Sequence, residues 1–207
     1  MKYRDLFNEI QLSRDYLEDK RTGVNWRYNV NKTERRVFVE LQETKTLKDW
    51  LFNFMFIPVP FKTADNKTVW VTLGFLLMAK AAFKYILIDY DVGLEEYAAY
   101  DWFLTGWSQG APVCAIIGNM LKKAKGVKVH YIGYGCPAFC FGKKSVKRLF
   151  SVFETCISFL YERDWIKHLI PFCRRTETVT VKPWNEPKNL DQRHRVYSKA
   201  DYVNEKF

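Results

Sequence analysis

Apolar and polar positions alternate with two different periods along this chain, and the changes of period divide it into elements. From Val24 to Val30 and from Arg36 to Leu41 the period is two, around Asn31-Lys32-Thr33-Glu34. Alternation across turn residues predicts a β-hairpin. Its second strand, Arg36-Val-Phe-Val-Glu-Leu-Gln42, is apolar enough to enter a core. Within residues 1–20, Leu6, Ile10 and Leu17 fall near helical spacing with charges between them, which predicts a helix. Thr46 is a candidate N-cap for a short second helix carrying Leu47, Trp50, Leu51 and Phe54 at three- and four-residue spacings. The dense apolar segment Phe54–Phe61 is interrupted by Pro58 and Pro60, which predicts an extended loop.

Asp65-Asn66-Lys67 reads as a turn before a strand over Thr68–Leu73. Gly74–Ile88 has little polar surface and predicts a well-buried helix. Asp89–Gly93 reads as a loop, and Glu95–Tyr100 fits either a helix end or the approach to a strand. The run Trp102–Thr105 is then apolar, Gly106–Gly110 is a turn, and Ala111 to about Leu121 is a helix of small apolar residues. That helix ends in Lys122-Lys-Ala-Lys-Gly126, with a glycine stop and cations in its last turn. Val127–Tyr134 predicts a strand, Lys143–Phe153 a basic amphipathic helix, and Thr155–Leu160 and Thr176–Lys182 two further strands. Tyr197–Phe207 predicts a terminal helix. Strands alternating with helices indicate an α/β protein. No repeat, linker or low-complexity tract divides the chain, so residues 1–207 are expected to form a single domain.

Composition narrows the partners. Hydrophobic residues make up 48% and aromatics 17% of the 207 residues, which excludes a disordered chain. The net charge of +10 suits an anionic membrane surface, a nucleic acid or an acidic protein, or equally a set of solvated lysines. Nucleic acid is disfavoured, because the lysines cluster at helix ends and no reading motif accompanies them. The N-terminal sequence lacks the apolar core of a signal peptide, and no apolar run reaches the length of a membrane span. The five cysteines (114, 136, 140, 156 and 173) are an odd number. These features predict a cytoplasmic protein with reduced thiols. Cys136 and Cys140 have no matching His/Cys pair, so no metal site is expected.

The chemistry concentrates at Gly106-Trp107-Ser108-Gln109-Gly110. A Gly-x-Ser-x-Gly pattern alone arises by chance in roughly a few per cent of chains this long. Here it lies between an apolar strand and a small-residue helix, the order a nucleophile elbow needs. Such a turn strains the serine, exposes its hydroxyl at the carboxyl edge of a sheet, and aims the Gln109 N–H at a developing oxyanion. A serine hydroxyl needs a base, and the base needs an orienting acid. In the strand–elbow–helix layout the order is Ser, acid, His. His130 lies inside a predicted strand, and His168 is only four residues past Asp164. His194, in the polar loop Asn189–Arg195, is the histidine placed to act as base. Asp164 follows the buried strand Thr155–Leu160 and is the favoured acid; Asp191 is the competitor, close to His194 in sequence.

Taken together, these residues resemble the class 3 lipases, the fungal triacylglycerol lipase type. Leu41–Phe56, with Thr44, Trp50 and Asn53, is similar to that family's Phe-Arg-Gly-Ser/Thr-x-Ser block and the lid helix after it. Gly74-Phe75 resembles its His-x-Gly-Phe segment, and Tyr134-Gly-Cys-Pro137 its Phe/Tyr-Gly-x-Pro turn. Asp164–Pro171 resembles the acid block, and His194-Arg-Val-Tyr197 the terminal His-x-x-Tyr. The blocks occur in order and span about residues 36–197. The resemblance implies an α/β-hydrolase fold with a mostly parallel central sheet flanked by helices. It implies a serine carboxylic ester hydrolase, a lipase or esterase, without cofactor or metal. Ser108 would be nucleophile, Asp164 acid and His194 base, with Thr44 and Gln109 forming the oxyanion hole. Leu47 to Phe52 would be the lid, with Trp50 facing the acyl chain and Leu47, Leu51 and Phe54 as further lid or substrate-binding residues. The chain departs from the pattern at Glu43 (usually Gly), Trp107 (usually His) and Thr72 (often His), and Gln109-Gly-Ala resembles the cutinase elbow. These departures motivate the alternative of an impaired hydrolase-like scaffold that binds a lipid or a protein.

Overall fold

The computed structural model describes residues 17–18, 24–42, 56–168, 173–174, 179–183, 185–190 and 200–202. Twelve strands and three α-helices are assigned among them. The principal sheet has eight strands in the order β1-β2-β3-β6-β7-β9-β11-β12. Its centre is formed by β3 (Arg36–Gln42), β6 (Asp101–Trp107), β7 (Lys128–Tyr134), β9 (Cys156–Tyr161) and β11 (Val179–Pro183), all parallel. Antiparallel strands close both edges: β1 (Leu17–Glu18) and β2 (Asn25–Asn31) on one side, β12 (Ala200–Tyr202) on the other. The mostly parallel α/β sheet expected from the sequence is therefore present.

Strand period sorts side chains to two faces. Val37, Val39, Leu41, Trp102, Leu104, Val129 and Tyr131 share one buried cluster with α1 (Leu73–Asp89), α2 (Gly110–Lys125) and α3 (Lys143–Phe150). Phe38, Phe103, Ile132, Tyr134, Phe159, Tyr161 and Val181 form a second cluster on the opposite face. Helix α2 packs on β3, β6 and β7. A Cβ at Gly118 would overlap the Phe153 ring. The helix stops at Gly126, whose φ of 69° lies in the left-handed region and whose N–H donates to Lys122 O at 3.0 Å.

The sequence expectations hold for the hairpin, the elbow's strand–turn–helix order, β5 (Thr68–Thr72), β7 and β9, and fail in five places. Leu17–Glu18 is not helical; it pairs with Trp26 and Asn25 as an edge strand, and the rest of 1–20 lies outside the described residues. Pro58–Lys62 is a strand, β4, not a loop. It is the edge of a second sheet, ordered β10-β8-β5-β4, with β5 (Thr68–Thr72), β8 (Cys140–Phe141) and β10 (Cys173–Arg174). An edge tolerates Pro58 and Pro60, since their missing N–H groups face outward. Tyr90–Leu94 continues α1 as a turn of π-helix where a loop was expected, and Glu95–Tyr97, open between a helix end and the approach to a strand, follows as a 3₁₀ turn. Ala200–Tyr202, expected to be helical, pairs with β11. The basic helix expected over Lys143–Phe153 ends at Phe150. The short helix expected after Thr46 lies outside the described residues.

Candidate active site

Strand β6 ends at Trp107 and α2 starts at Gly110, so only Ser108 and Gln109 join them. Ser108 has φ 53°, left-handed for a residue with a Cβ. Such a conformation costs roughly 1–2 kcal/mol and marks functional turns. Two hydrogen bonds hold it: the Ser108 N–H donates to Tyr134 O at 2.8 Å, and the Ala111 N–H donates to Ser108 O at 3.1 Å. The first extends the β6–β7 ladder by one step; the second closes the first turn of the helix. The glycines follow from the crossing. A Cβ at Gly106 would overlap the Gly110 carbonyl and the Ala111 nitrogen. Strand and helix thus touch backbone to backbone at the elbow. Below it, the Cys114 thiol donates to Thr105 O at 2.9 Å, and burial pushes that thiol well above its ordinary pKa.

Ser108 is fully buried, where the elbow reading expects an exposed hydroxyl, and its Oγ makes no hydrogen bond among the described residues. A buried hydroxyl left without a partner costs about 1–3 kcal/mol, which a structure retains where the hydroxyl is reserved for a reactant or for a group elsewhere. Helix α2 has no side-chain N-cap. The positive end of its dipole, and the N–H groups of its first turn, therefore lie at the serine. Gln109, in the N-cap position, is buried.

Asp164 is also fully buried, three residues beyond β9. Its N–H donates to Tyr161 O at 3.0 Å, and its Oδ1 accepts from the Ile166 N–H at 3.1 Å. It thereby caps the 3₁₀ helix Trp165–His168. Because β6, β7 and β9 are parallel and in register (Trp107 opposite Tyr134, Tyr134 opposite Phe159), Ser108 and Asp164 leave the sheet at the same carboxyl edge. Ligands and chemistry in open α/β sheets gather at that edge.

The rest of the predicted set is only approached. Thr44, the lid residues Leu47, Trp50, Leu51 and Phe54, and His194 with Asp191 lie outside the described residues. The chain leading to each is informative. Strand β3 runs parallel beside β6, with Leu41 opposite Gly106, and ends two residues before Thr44. Strand β11 runs parallel beside β9, with Val181 opposite Tyr161. Beyond it, Glu186 accepts from Tyr161 Oη at 3.4 Å and pairs with Arg163. The segment that continues to His194 is thus tied to the loop carrying Asp164.

His130 does not belong to this site. Its Nδ1 lies 2.8 Å from Thr155 Oγ1, its Nε2 lies 3.6 Å from Asp101, and its ring stacks on Phe103 with centroids 4.5 Å apart. Phe103 stands five residues before Ser108, roughly 16 Å away along an extended strand. Burial pushes the His130 pKa below its ordinary value, and the Asp101 carboxylate opposes that shift. Cys114, Cys136, Cys140 and Cys156 are free thiols, and no group of metal-ligating side chains occurs among the described residues. Sequence reasoning passed over the buried ion pair of Arg27 with Glu40, on β2 and β3. A glutamate two residues from Phe38, on the same face of a core strand, was its signal.

A family model described as Lipase (class 3) matches residues 38–174. The chain belongs to the class 3 lipase family. Solved lipases share its fold. The Rhizomucor miehei lipase in its propeptide complex superposes with a TM-score of 0.69 at 16% identity, over 82% of this chain and 56% of that one. Lip2 lipase from Yarrowia lipolytica gives 0.70 at 15%, over 92% and 81%. The lipase from Rhizopus microsporus var. chinensis gives 0.69 at 16%, over 84% and 62%. The fold is that of the α/β hydrolases. This class 3 lipase chain spans little more than half the length of the Rhizomucor structure. No curated protein matches it in sequence.

Proposed function

We infer that this chain is a serine carboxylic ester hydrolase acting on a lipid-like acyl ester. The observation that carries the reading is Ser108. It is held at φ 53° between a parallel strand and an uncapped helix, buried, with a hydroxyl that no described residue engages. In this reading His194 takes the Ser108 proton as Oγ attacks the acyl carbonyl. Asp164 holds the imidazole in the right tautomer and offsets its developing charge. The backbone N–H groups of Gln109 and Thr44 bind the oxyanion, each such donor being worth about 10²–10³ in rate. The alcohol leaves with the proton that His194 held. Water, deprotonated by the same imidazole, then releases the acid from the acyl-enzyme. No cofactor or metal is called on.

Leu47, Trp50, Leu51 and Phe54 supply the lid in this reading, and their apolar side chains favour an acyl chain over a polar ester. Among the structural neighbours, a fungal lipase–inhibitor complex is described as a model for interfacial activation. Glycerides and phospholipids are the candidate substrate classes.

The test is turnover of p-nitrophenyl acyl esters by the purified chain and by Ser108→Ala. The expected loss is about 10⁶-fold in kcat, the usual scale for removing such a nucleophile. Equal rates for the two proteins would refute the reading. Absent turnover with intact lipid binding would favour the non-catalytic scaffold suggested by Glu43 and Trp107.

A further inference from the structure

Helix α1 starts as α2 does, with no side-chain cap and no acid in its first turn. Its N-cap is Thr72, extended at φ −72° and ψ 137° and only 1% exposed. An N-cap threonine ordinarily turns its hydroxyl onto a free N–H of the first turn. Thr72 Oγ1 instead has no hydrogen-bond partner among the described residues. The first two N–H groups are satisfied: that of Thr72 donates to Phe139 O at 3.1 Å, and that of Leu73 to Ile57 O at 2.9 Å. The next, on buried Gly74, has no backbone acceptor outside the helix among the described residues. An N2 donor has none inside the helix either. Buried donors are rarely left without a partner, and those that are call for a reason. Of the buried hydroxyls unpartnered among the described residues, only those of Thr72 and Ser108 stand at the start of a helix.

Those two starts lie at one edge of the sheet. The helices end together: Lys125 Nζ, in the last turn of α2, lies 2.6 Å from Asp91 and 4.8 Å from the centre of the Tyr90 ring, both just past α1. With 17 and 16 residues, each helix is about 25 Å long, so they run back side by side to starts of similar height. One segment ties the starts to each other. The Ser108 N–H donates to Tyr134 O, and the Thr72 N–H to Phe139 O, five residues further on. The positive end of α1 therefore points to the edge that holds Ser108 and Asp164. A hydroxyl, a free N–H and a helix N-terminus with no nearby carboxylate suit an oxyanion. In the alcohol part of a lipid-like acyl ester, that oxyanion is a phosphate.

We propose that Thr72 and the first turn of α1 form a phosphate-binding end of the active site, so that the ester taken is one of a phosphorylated glycerol in preference to a neutral glyceride. This rests on the ester-hydrolase reading of Ser108. The Thr72 hydroxyl and the Gly74 N–H donate to phosphate oxygens while the ester carbonyl lies at Ser108, and one glycerol unit bridges the two. Ser108 is as buried as Thr72, so the opening that admits an ester to the one admits its phosphate to the other. Thr72 is a specificity residue and takes no part in bond making.

The test is the ratio of kcat/KM for didecanoyl phosphatidylglycerol to that for didecanoylglycerol, both in neutral detergent micelles, in the parent, Thr72→Val and Thr72→Ser. The parent should favour the phospholipid. Loss of one hydrogen bond to a charged group should lower the ratio at least about tenfold in Thr72→Val, through KM, and Thr72→Ser should retain it. Thr72→Val should melt no lower than the parent, because a methyl replaces a buried hydroxyl that has no partner. Equal ratios in parent and Thr72→Val, a parent that favours the glyceride, or a valine variant that melts earlier overturns the proposal. A second arm needs no turnover: calorimetric binding of the same phospholipid, and of inorganic phosphate, to Ser108→Ala with and without Thr72→Val. Phospholipid bound about tenfold more weakly after Thr72→Val supports the subsite even where fluorophosphonate fails to label Ser108 in the parent, a failure that would sink the catalytic reading alone. Inorganic phosphate bound through Thr72 with no binding of the phospholipid would make this a free-phosphate site and overturn the substrate class.

Discussion

Ser108 combines a strained backbone with an unengaged hydroxyl, and the two can be separated by substitution. At φ 53° a Cβ is disfavoured, whereas glycine adopts this region freely. Ser108→Gly and Ser108→Ala should both abolish ester turnover, and the glycine variant should be the more stable by about 1 kcal/mol. Denaturant titration of the two proteins checks this; an alanine variant as stable as the glycine one would mean the turn is unstrained. Glu40 is a second residue with a decided role. Its carboxylate neutralises the Arg27 guanidinium in the sheet, with side chains only 7% and 10% exposed. Glu40→Ala leaves a buried cation and should cost about 3–5 kcal/mol, while Arg27→Met/Glu40→Leu should recover most of that loss. His130 sets an acid-side limit. Burial lowers its folded pKa below the ordinary imidazole value of 6.5, so the fold favours the neutral ring. That contribution is complete above the unfolded value and is lost as pH falls through the lower folded one. Stability should therefore decline below about pH 6.5, and His130→Gln should flatten this decline in a series of unfolding curves.

At the scale of elements, the elbow is the junction that tolerates least change. Gly106→Ala would drive a Cβ into the Gly110 carbonyl, and neither β6 nor α2 can retreat without opening the sheet or the core. The expected cost is about 3 kcal/mol or more, seen as a lower melting temperature and lost fluorophosphonate labelling. The elbow was legible in the sequence because its signal is local: an apolar strand, two glycines around a serine, and a run of small helix residues. Strands β6, β7 and β9 were legible for the same reason. The elements read wrongly are those decided by distant partners. Leu17 is extended because Trp26 lies opposite it, and Ala200–Tyr202 because β11 offers an edge. Pro58 and Pro60 signal a loop in isolation, yet β4 needs a partner on one side only. The exposure of Leu77, Tyr85 and Ile88 on α1 was hidden for a related reason. Leu77, Tyr85 and Ile88 look like core on an apolar helix until the packing shows which face the sheet takes.

For the molecule as a whole, parallel order gathers distant sequence at one edge. β3, β6, β9 and β11 all release the chain there, towards residues 44, 108, 164 and 194. The candidate acid could be chosen from the sequence because Asp164 follows a core strand, and the structure buries it at that edge. The base rests on chain order and on the resemblance of His194-Arg-Val-Tyr197 to the family's terminal block, since His194 lies outside the described residues. The two apolar clusters lie on opposite faces of one sheet, so calorimetry should give one unfolding transition if residues 1–207 form a single domain, and two if they do not. The central claim is convergence on one activated hydroxyl, and the most direct measurement is the rate and position of fluorophosphonate labelling, mapped by mass spectrometry in the parent, Asp164→Asn and His194→Ala. The account predicts a single adduct on Ser108, formed rapidly in the parent and at least a hundredfold more slowly in each variant. A parent that is not labelled at Ser108, or labelling equally fast without His194, would contradict it.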